Sequence, residues 1–217
     1  MSEYHVVAQG EHLSGIAHQY GYRSYKEIWN HPNNAELKNE RKNPNVLYPG
    51  DQLFIPDKKK GEYSRSTDAT HKFQVKLSPL KLRLTLEDQY EKPIAGADCL
   101  LVIDGDSKHL TTDGKGKIEV PIPPTAHEAY LVVNDASQTP YDGVNIPIKI
   151  GNLDPEKEVS GQQARLKNLG YFWGDVDGQD SDDFESAVEE FQCDHSLKVD
   201  GICGPKTQAK LKEVHGC

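Results

Sequence analysis

The chain has 217 residues, a net charge of −9 and 35% hydrophobic content, with a mean hydropathy of −0.72. That length holds one large domain or two to three small ones, and the low apolar content favours several small cores. The acidity argues against nucleic acid and anionic membrane surfaces as partners, since both are gripped by clustered Lys and Arg. No apolar run approaches the roughly 20 residues of a spanning helix.

Tyr4, Val6 and Val7 form a short apolar strand, and Gly10 gives the freedom of a tight turn. Leu13, Ile16, Ala17 and Tyr20 recur at helical spacing, with Gly21 as a C-terminal cap. Ser24 is placed to cap a second helix whose apolar face is Tyr25, Ile28 and Trp29. Leu53, Phe54 and Ile55 make a return strand that Pro56 stops. The opening Tyr4-His5-Val6-Val7-Ala8-Gln9-Gly10-Glu11-His12-Leu13-Ser14-Gly15-Ile16-Ala17 and the close Pro49-Gly50-Asp51-Gln52-Leu53-Phe54-Ile55-Pro56 resemble the LysM family. That resemblance implies a βααβ module for glycans containing N-acetylglucosamine, with a groove between the two end loops. Carried onto this sequence, the groove is Gly10, Glu11, His12 and Leu13 facing Asn45, Val46, Leu47 and Tyr48. His12 stands where many relatives carry Thr or Ser. His31 to Lys42 departs from the family as an insertion and is expected to add a polar turn of helix.

Asp57 to Thr70, with Lys58-Lys59-Lys60, is polar and reads as a tether. From Phe73 to about Ile150 the apolar period becomes two: Leu80, Leu82, Leu84 and Leu86 alternate with Lys81, Arg83, Thr85 and Glu87. Further short apolar runs follow at Ile94–Ile103, Tyr130–Val133 and Val144–Ile148, separated by glycine and proline turns, which indicates a small antiparallel sandwich. The run of turns through Asp88, Pro93-Ile94-Ala95-Gly96-Ala97 and Thr112-Asp113-Gly114-Lys115-Gly116 resembles immunoglobulin- or transthyretin-like spacer domains. Asp104, Asp106 and Asp113 could be read as a calcium site, but they form no tight acidic loop.

Three amphipathic helices are expected from 159 to 215. The first carries Val159, Gln163, Leu166 and Leu169, the second Phe184, Ala187, Val188 and Phe191, and the third Ala209 and Leu211 after Pro205. Asp177-Gly178 before the second helix is echoed by Asp200-Gly201 before the third. The pattern Leu169-Gly170-Tyr171-Phe172, Asp177-Gly178, Ala187-Val188 with Phe191-Gln192, and Val199-Asp200-Gly201 with Gly204-Pro205 and Thr207 resembles the three-helix peptidoglycan-binding family. That family's ligand surface falls on Tyr171, Phe172, Trp173, Asp177 and Gly178 here. The acidic stretch Gln179 to Asp183 departs from it.

Cys99 sits in an apolar run and reads as a small buried hydrophobe. Cys193, Cys203 and Cys217 are read as thiols, with an oxidised pair left open. Taken with His195 and His215, they match no common zinc spacing.

The expected chain is therefore multi-domain α+β: a LysM module over 1–57, a linker over 58–71, a β-sandwich over 72–151 and a three-helix domain over 152–217. Its expected function is non-catalytic binding of peptidoglycan by two heads on a spacer, with no cofactor. No nucleophile–base set or paired carboxylates point to an enzyme. The alternatives are an adaptor of type VI secretion or phage-tail-like machines, which signal-less LysM proteins resemble, and a wall hydrolase. Met1-Ser2-Glu3-Tyr4-His5 has neither basic start nor apolar core, so synthesis in the cytoplasm and export to the periplasm or wall by a non-Sec route is expected.

Overall fold

The computed structural model describes residues 2–58, 64–72, 80–88, 90–134 and 143–217. Lys59, Lys60 and Phe73 lie outside them. The described residues bury their apolar side chains in three separate clusters, and both helices and antiparallel sheets are present, making the chain α+β.

In the first unit β1 (Glu3–Val6) pairs antiparallel with β2 (Gln52–Ile55). Between them lie α1 (Leu13–Gln19), α2 (Lys26–Trp29), a 3-10 turn (Pro32–Asn34) and α3 (Ala35–Arg41). Leu13, Ile16, Ile28, Trp29 and Leu53 meet in the core. Gly21, at φ +70°, closes α1. Its N–H bonds His18 O, while Tyr22 N–H bonds Ala17 O, the paired pattern that satisfies the last carbonyls of a helix. The second helix starts one residue later than expected, with Tyr25 at its N-cap, and Ser24 Oγ accepts from Lys26 N–H at 3.3 Å.

The segment 31–42 is more than the polar turn expected of it. Asn34, 1% exposed, donates through Nδ2 to Ile28 O and Phe54 O, both at 2.8 Å. Its Oδ1 accepts from Phe54 N–H at 2.7 Å. One side chain thus completes the free edge of β2, while Leu37 enters the core. Arg41 makes a two-pronged bond to Asp51 at 2.8 and 2.7 Å, and Asp51 also accepts from Tyr48 N–H.

The middle unit has two sheets over one core. β3 (Leu80–Thr85) pairs with β6 (Lys117–Ile122); the second sheet has the order β5 (Asp106–Thr111), β4 (Asp98–Ile103), β7 (Glu128–Asn134), β8 (Val144–Lys149). Cys99, Leu101 and Ile103 from β4 face Ile118, Val120 and Ile122 from β6, as period-two strands require. Buried Thr112 closes a corner, donating to Ile94 O and accepting from Ala97 N–H. The Asp113 carboxylate accepts from Lys115 and Lys117 N–H, which lowers its pKa and commits it to its own turn.

In the last unit, α4 (Val159–Asn168), α5 (Asp182–Asp194) and α6 (Pro205–His215) pack Leu166, Phe184, Val188, Phe191 and Leu211 together. Ser181 caps α5 through its hydroxyl, and Asp182, Asp183 and Glu185 fill the first turn. Negative charge there complements the positive end of the helix dipole, which gives the acidic departure at this position a local cause. Ala209, expected inside, is exposed. The inward positions of α6 are Thr207 and Leu211, one turn apart, which turns Ala209 away from the core.

The sequence echo has a structural counterpart. Buried Gln163 accepts from Asp177 and Gly178 N–H and donates to Asp177 Oδ1 and Gln179 O. Buried Gln192 accepts from Asp200 and Gly201 N–H and donates to Asp200 Oδ1 and Ile202 O. Both glycines have positive φ, +74° and +70°, which suits a residue lacking Cβ. Arg165, fully buried, donates to Asp154 O, Gly161 O and Cys217 O and so ties the entry of α4 to the end of α6. A Cβ on Gly161 would stand 2.1 Å from Pro155 O, so that entry closes only around glycine.

Two outcomes follow from this packing. Gln192→Leu leaves the Asp200 and Gly201 amides without their acceptor and should destabilise the last unit by about 2–4 kcal/mol. Hydrogen exchange would show these two amides losing protection while Phe54 N–H in β2 keeps its own. Burial, with Arg165 nearby, lowers the His215 pKa to about 4. The unfolded chain takes up that proton below roughly 6.5 and the folded chain does not. The stability tied to neutral His215 is thus present above about 6.5 and is lost as the pH falls toward 4. An NMR titration should find the His215 ring unprotonated at pH 5.5, and His215→Gln should flatten the acid-side loss of stability.

Candidate functional site

Two arms of the last unit make a groove of about 330 Å³. One arm is the turn after α4, which carries Tyr171, Phe172, Trp173 and Gly174; the other is the face of α5 bearing Asp183, Ser186, Ala187 and Glu190. The turn is fixed from behind. Tyr171 and Phe172 N–H both bond Leu166 O. The Phe172 ring is 4% exposed and stands edge-on to Phe184, with centroids 6.2 Å apart. A Cβ on Gly174 would lie 2.6 Å from that ring, so glycine lets the chain pass over it. Tyr171 is half-buried, edge-on to Phe191, with its hydroxyl donating to Asp194 at 3.1 Å. Burial first, then the Asp194 carboxylate, raises its phenol pKa, so the hydroxyl stays a donor.

Trp173 is the exception in this turn. It is 88% exposed while its neighbour is buried. An indole held in water on an anchored turn offers a flat apolar face for stacking, with an N–H donor at its edge. Asp177 and Gly178 do not line this groove. They belong to the Gln163 clamp, where bonds from Gln179 N–H and Gln163 hold the Asp177 pKa below the usual carboxylate range. Of the five positions drawn from the family likeness, Tyr171, Phe172 and Trp173 are gathered at the groove. Asp183, Ser186 and Glu190 join them from α5. They were legible in the sequence only as one helical face, at spacings of three and four.

The N-terminal positions lie elsewhere. Val7 N–H bonds Asp51 O, and Gly50 N–H bonds Val7 O, which brings the Gly10–Leu13 loop and the Asn45–Tyr48 loop to one end of the β1–β2 ribbon. Leu13, Val46 and Leu47 are buried, Gly10, Glu11 and Tyr48 are partly exposed, and Asn45 is exposed. His12 is buried, at 3% exposed. Its Nδ1 accepts from Gly15 N–H at 3.2 Å, performing at the N-cap of α1 the task of a Ser or Thr oxygen. Burial, then the neighbouring His127, lowers its pKa.

The same loops meet the rest of the chain. A Cβ on Gly151 would fall 2.5 Å from Gly10 O and 3.1 Å from His12 Cδ2, so these backbones touch. The Glu158 carboxylate faces the Tyr48 phenol and raises its pKa. A second groove, of about 300 Å³, runs along this junction between Glu11, His18 and Gln19 on one side and Pro124, Thr125 and His127 on the other.

Residues 155–211 match the family described as "Putative peptidoglycan binding domain". A 54-residue stretch is 41% identical to the N-acetylmuramoyl-L-alanine amidase CwlM of Mycobacterium tuberculosis. It takes in 25% of this chain and only 13% of that relative's length. No solved structure gives a significant match. Residues 155–211, which take in α4, α5 and the first part of α6, thus carry a peptidoglycan-binding domain.

Proposed function

We propose that the chain is a non-catalytic peptidoglycan-binding protein whose principal head is the groove between Trp173 and α5. The observation that carries this reading is the coincidence of the family match with an exposed indole on an anchored turn. Sugar rings of a wall glycan offer C–H faces to such an indole, and the groove beside it has room for a pendant peptide. The reading places the protein's work at the cell wall.

The first unit, with its likeness to the LysM family, is proposed as a second head, and the β unit as the spacer between them. Two weak sites on one chain raise avidity through effective concentration alone. In this unit Gly10 stands beside Gly151, and Tyr48 lies near Glu158, so a glycan held there would border the β unit and the start of the last unit. A second reading gives this unit a protein partner, as an adaptor of a secretion or phage-tail-like machine. The observation favouring it is β1, whose Tyr4 and Val6 are 58% and 60% exposed. An edge strand with apolar side chains in water suits strand addition by another protein.

The named relative is an amidase, and the shared 54 residues make up only 13% of its length. Sedimentation of the full chain with insoluble peptidoglycan should retain it. Trp173→Ala should weaken retention about tenfold, equivalent to ~1.4 kcal/mol. Unchanged retention would remove the indole from the site. A zymogram on purified wall should show no clearing; a clear band would replace the binding reading with a hydrolase.

A further inference from the structure

The groove beside Trp173 carries a charge that a neutral sugar does not use. Asp183 and Glu190 stand seven residues apart on α5, two helical turns or about 10.5 Å along its axis, with Ser186 and Ala187 between them. Both carboxylates line the groove, and neither has an ion-pair or hydrogen-bond partner among the described residues. The cation bound to a groove residue is Lys167, and its Nζ is engaged by Gly174 O at 2.7 Å rather than by either acid. Asp183 lies in the first turn of α5, where the helix dipole explains its charge. Glu190 lies two turns further on, where that explanation fails.

We propose that this groove selects a protonated primary amine of peptidoglycan, with Trp173 covering the apolar or sugar face beside it. The inference rests on the wall-binding reading of the same site. Peptidoglycan is itself rich in carboxylates, which an acidic groove on a chain of net charge −9 repels. The polymer's cations are its free amines, and these come from two sources: the side-chain amine of an uncrosslinked diamino acid in a stem peptide, and an amino sugar that has lost its acetyl group. Either is attracted by both carboxylates and by the face of an electron-rich indole. Crosslinking or acetylation removes the charge, so the groove distinguishes open wall from closed.

The experiment uses the full chain with sacculi, either native or treated with acetic anhydride to acetylate their amines. Native sacculi should retain the chain, and acetylation should lower retention about tenfold, as expected of two exposed charge pairs and a cation–aromatic contact. The double variant Asp183→Asn, Glu190→Gln should lose as much on native sacculi and should be indifferent to acetylation, with the Gly201 amide still protected as evidence of an intact fold. Competition by a stem-type peptide with a free diamino side chain, set against competition by glucosamine, assigns the source. Equal retention of the wild-type chain on native and acetylated sacculi overturns the amine proposal while leaving wall binding in place. Absence of retention on native sacculi overturns both.

Discussion

Two buried glutamine amides hold the geometry on which the C-terminal domain depends. Each has four hydrogen-bonding positions, and Gln163 and Gln192 spend them in parallel ways: two backbone N–H groups accepted, and an aspartate oxygen and a carbonyl oxygen donated to. Unpartnered, these groups would each cost desolvation energy of about 1–3 kcal/mol. Bonded, they convert two Asp-Gly turns into rigid connectors. The first connector delivers the chain to the N-terminus of α5, and the second delivers it to α6. The distance from the aromatic turn to the face of α5, and so the width of the groove, follows from them. Buried Arg165 secures the other end of the bundle by joining Asp154, Gly161 and Cys217 through carbonyl oxygens.

That arrangement divides the labour among the site positions. Asp177 and Gly178 belong with the Gln163 clamp, and Phe172 is packed behind the turn. Trp173 and the α5 carboxylates are left in water at the groove. A similar separation applies in the first unit, where His12 serves as a helix cap at the junction with the β unit.

Much of the architecture was legible because it rests on period and punctuation. Leucines at every second position gave β3, inward Phe184, Ala187, Val188 and Phe191 gave α5, and Pro205 marked the start of α6. What escaped the sequence was polar and long-range. Nothing local distinguishes Asn34 from other asparagines of its loop, yet it completes an edge of β2 twenty residues away. Arg165 reads as a surface cation until the carbonyls that surround it are in place. The groove itself needs α5 beside the aromatic turn, and no single stretch displays that pairing. The echo of Asp-Gly was visible, but its partners Gln163 and Gln192 lie 14 and 8 residues upstream, and only the fold joins them.

On the reading proposed above, peptidoglycan meets the face formed by Trp173 and α5. An NMR titration of the full chain with soluble muropeptides checks this most directly, because it reports position rather than retention. Shifts confined to Tyr171–Gly174 and to Asp183, Ser186 and Glu190 are the predicted result. Shifts confined to Gly10–Leu13 and Asn45–Tyr48, with the Trp173 indole unmoved, would contradict it.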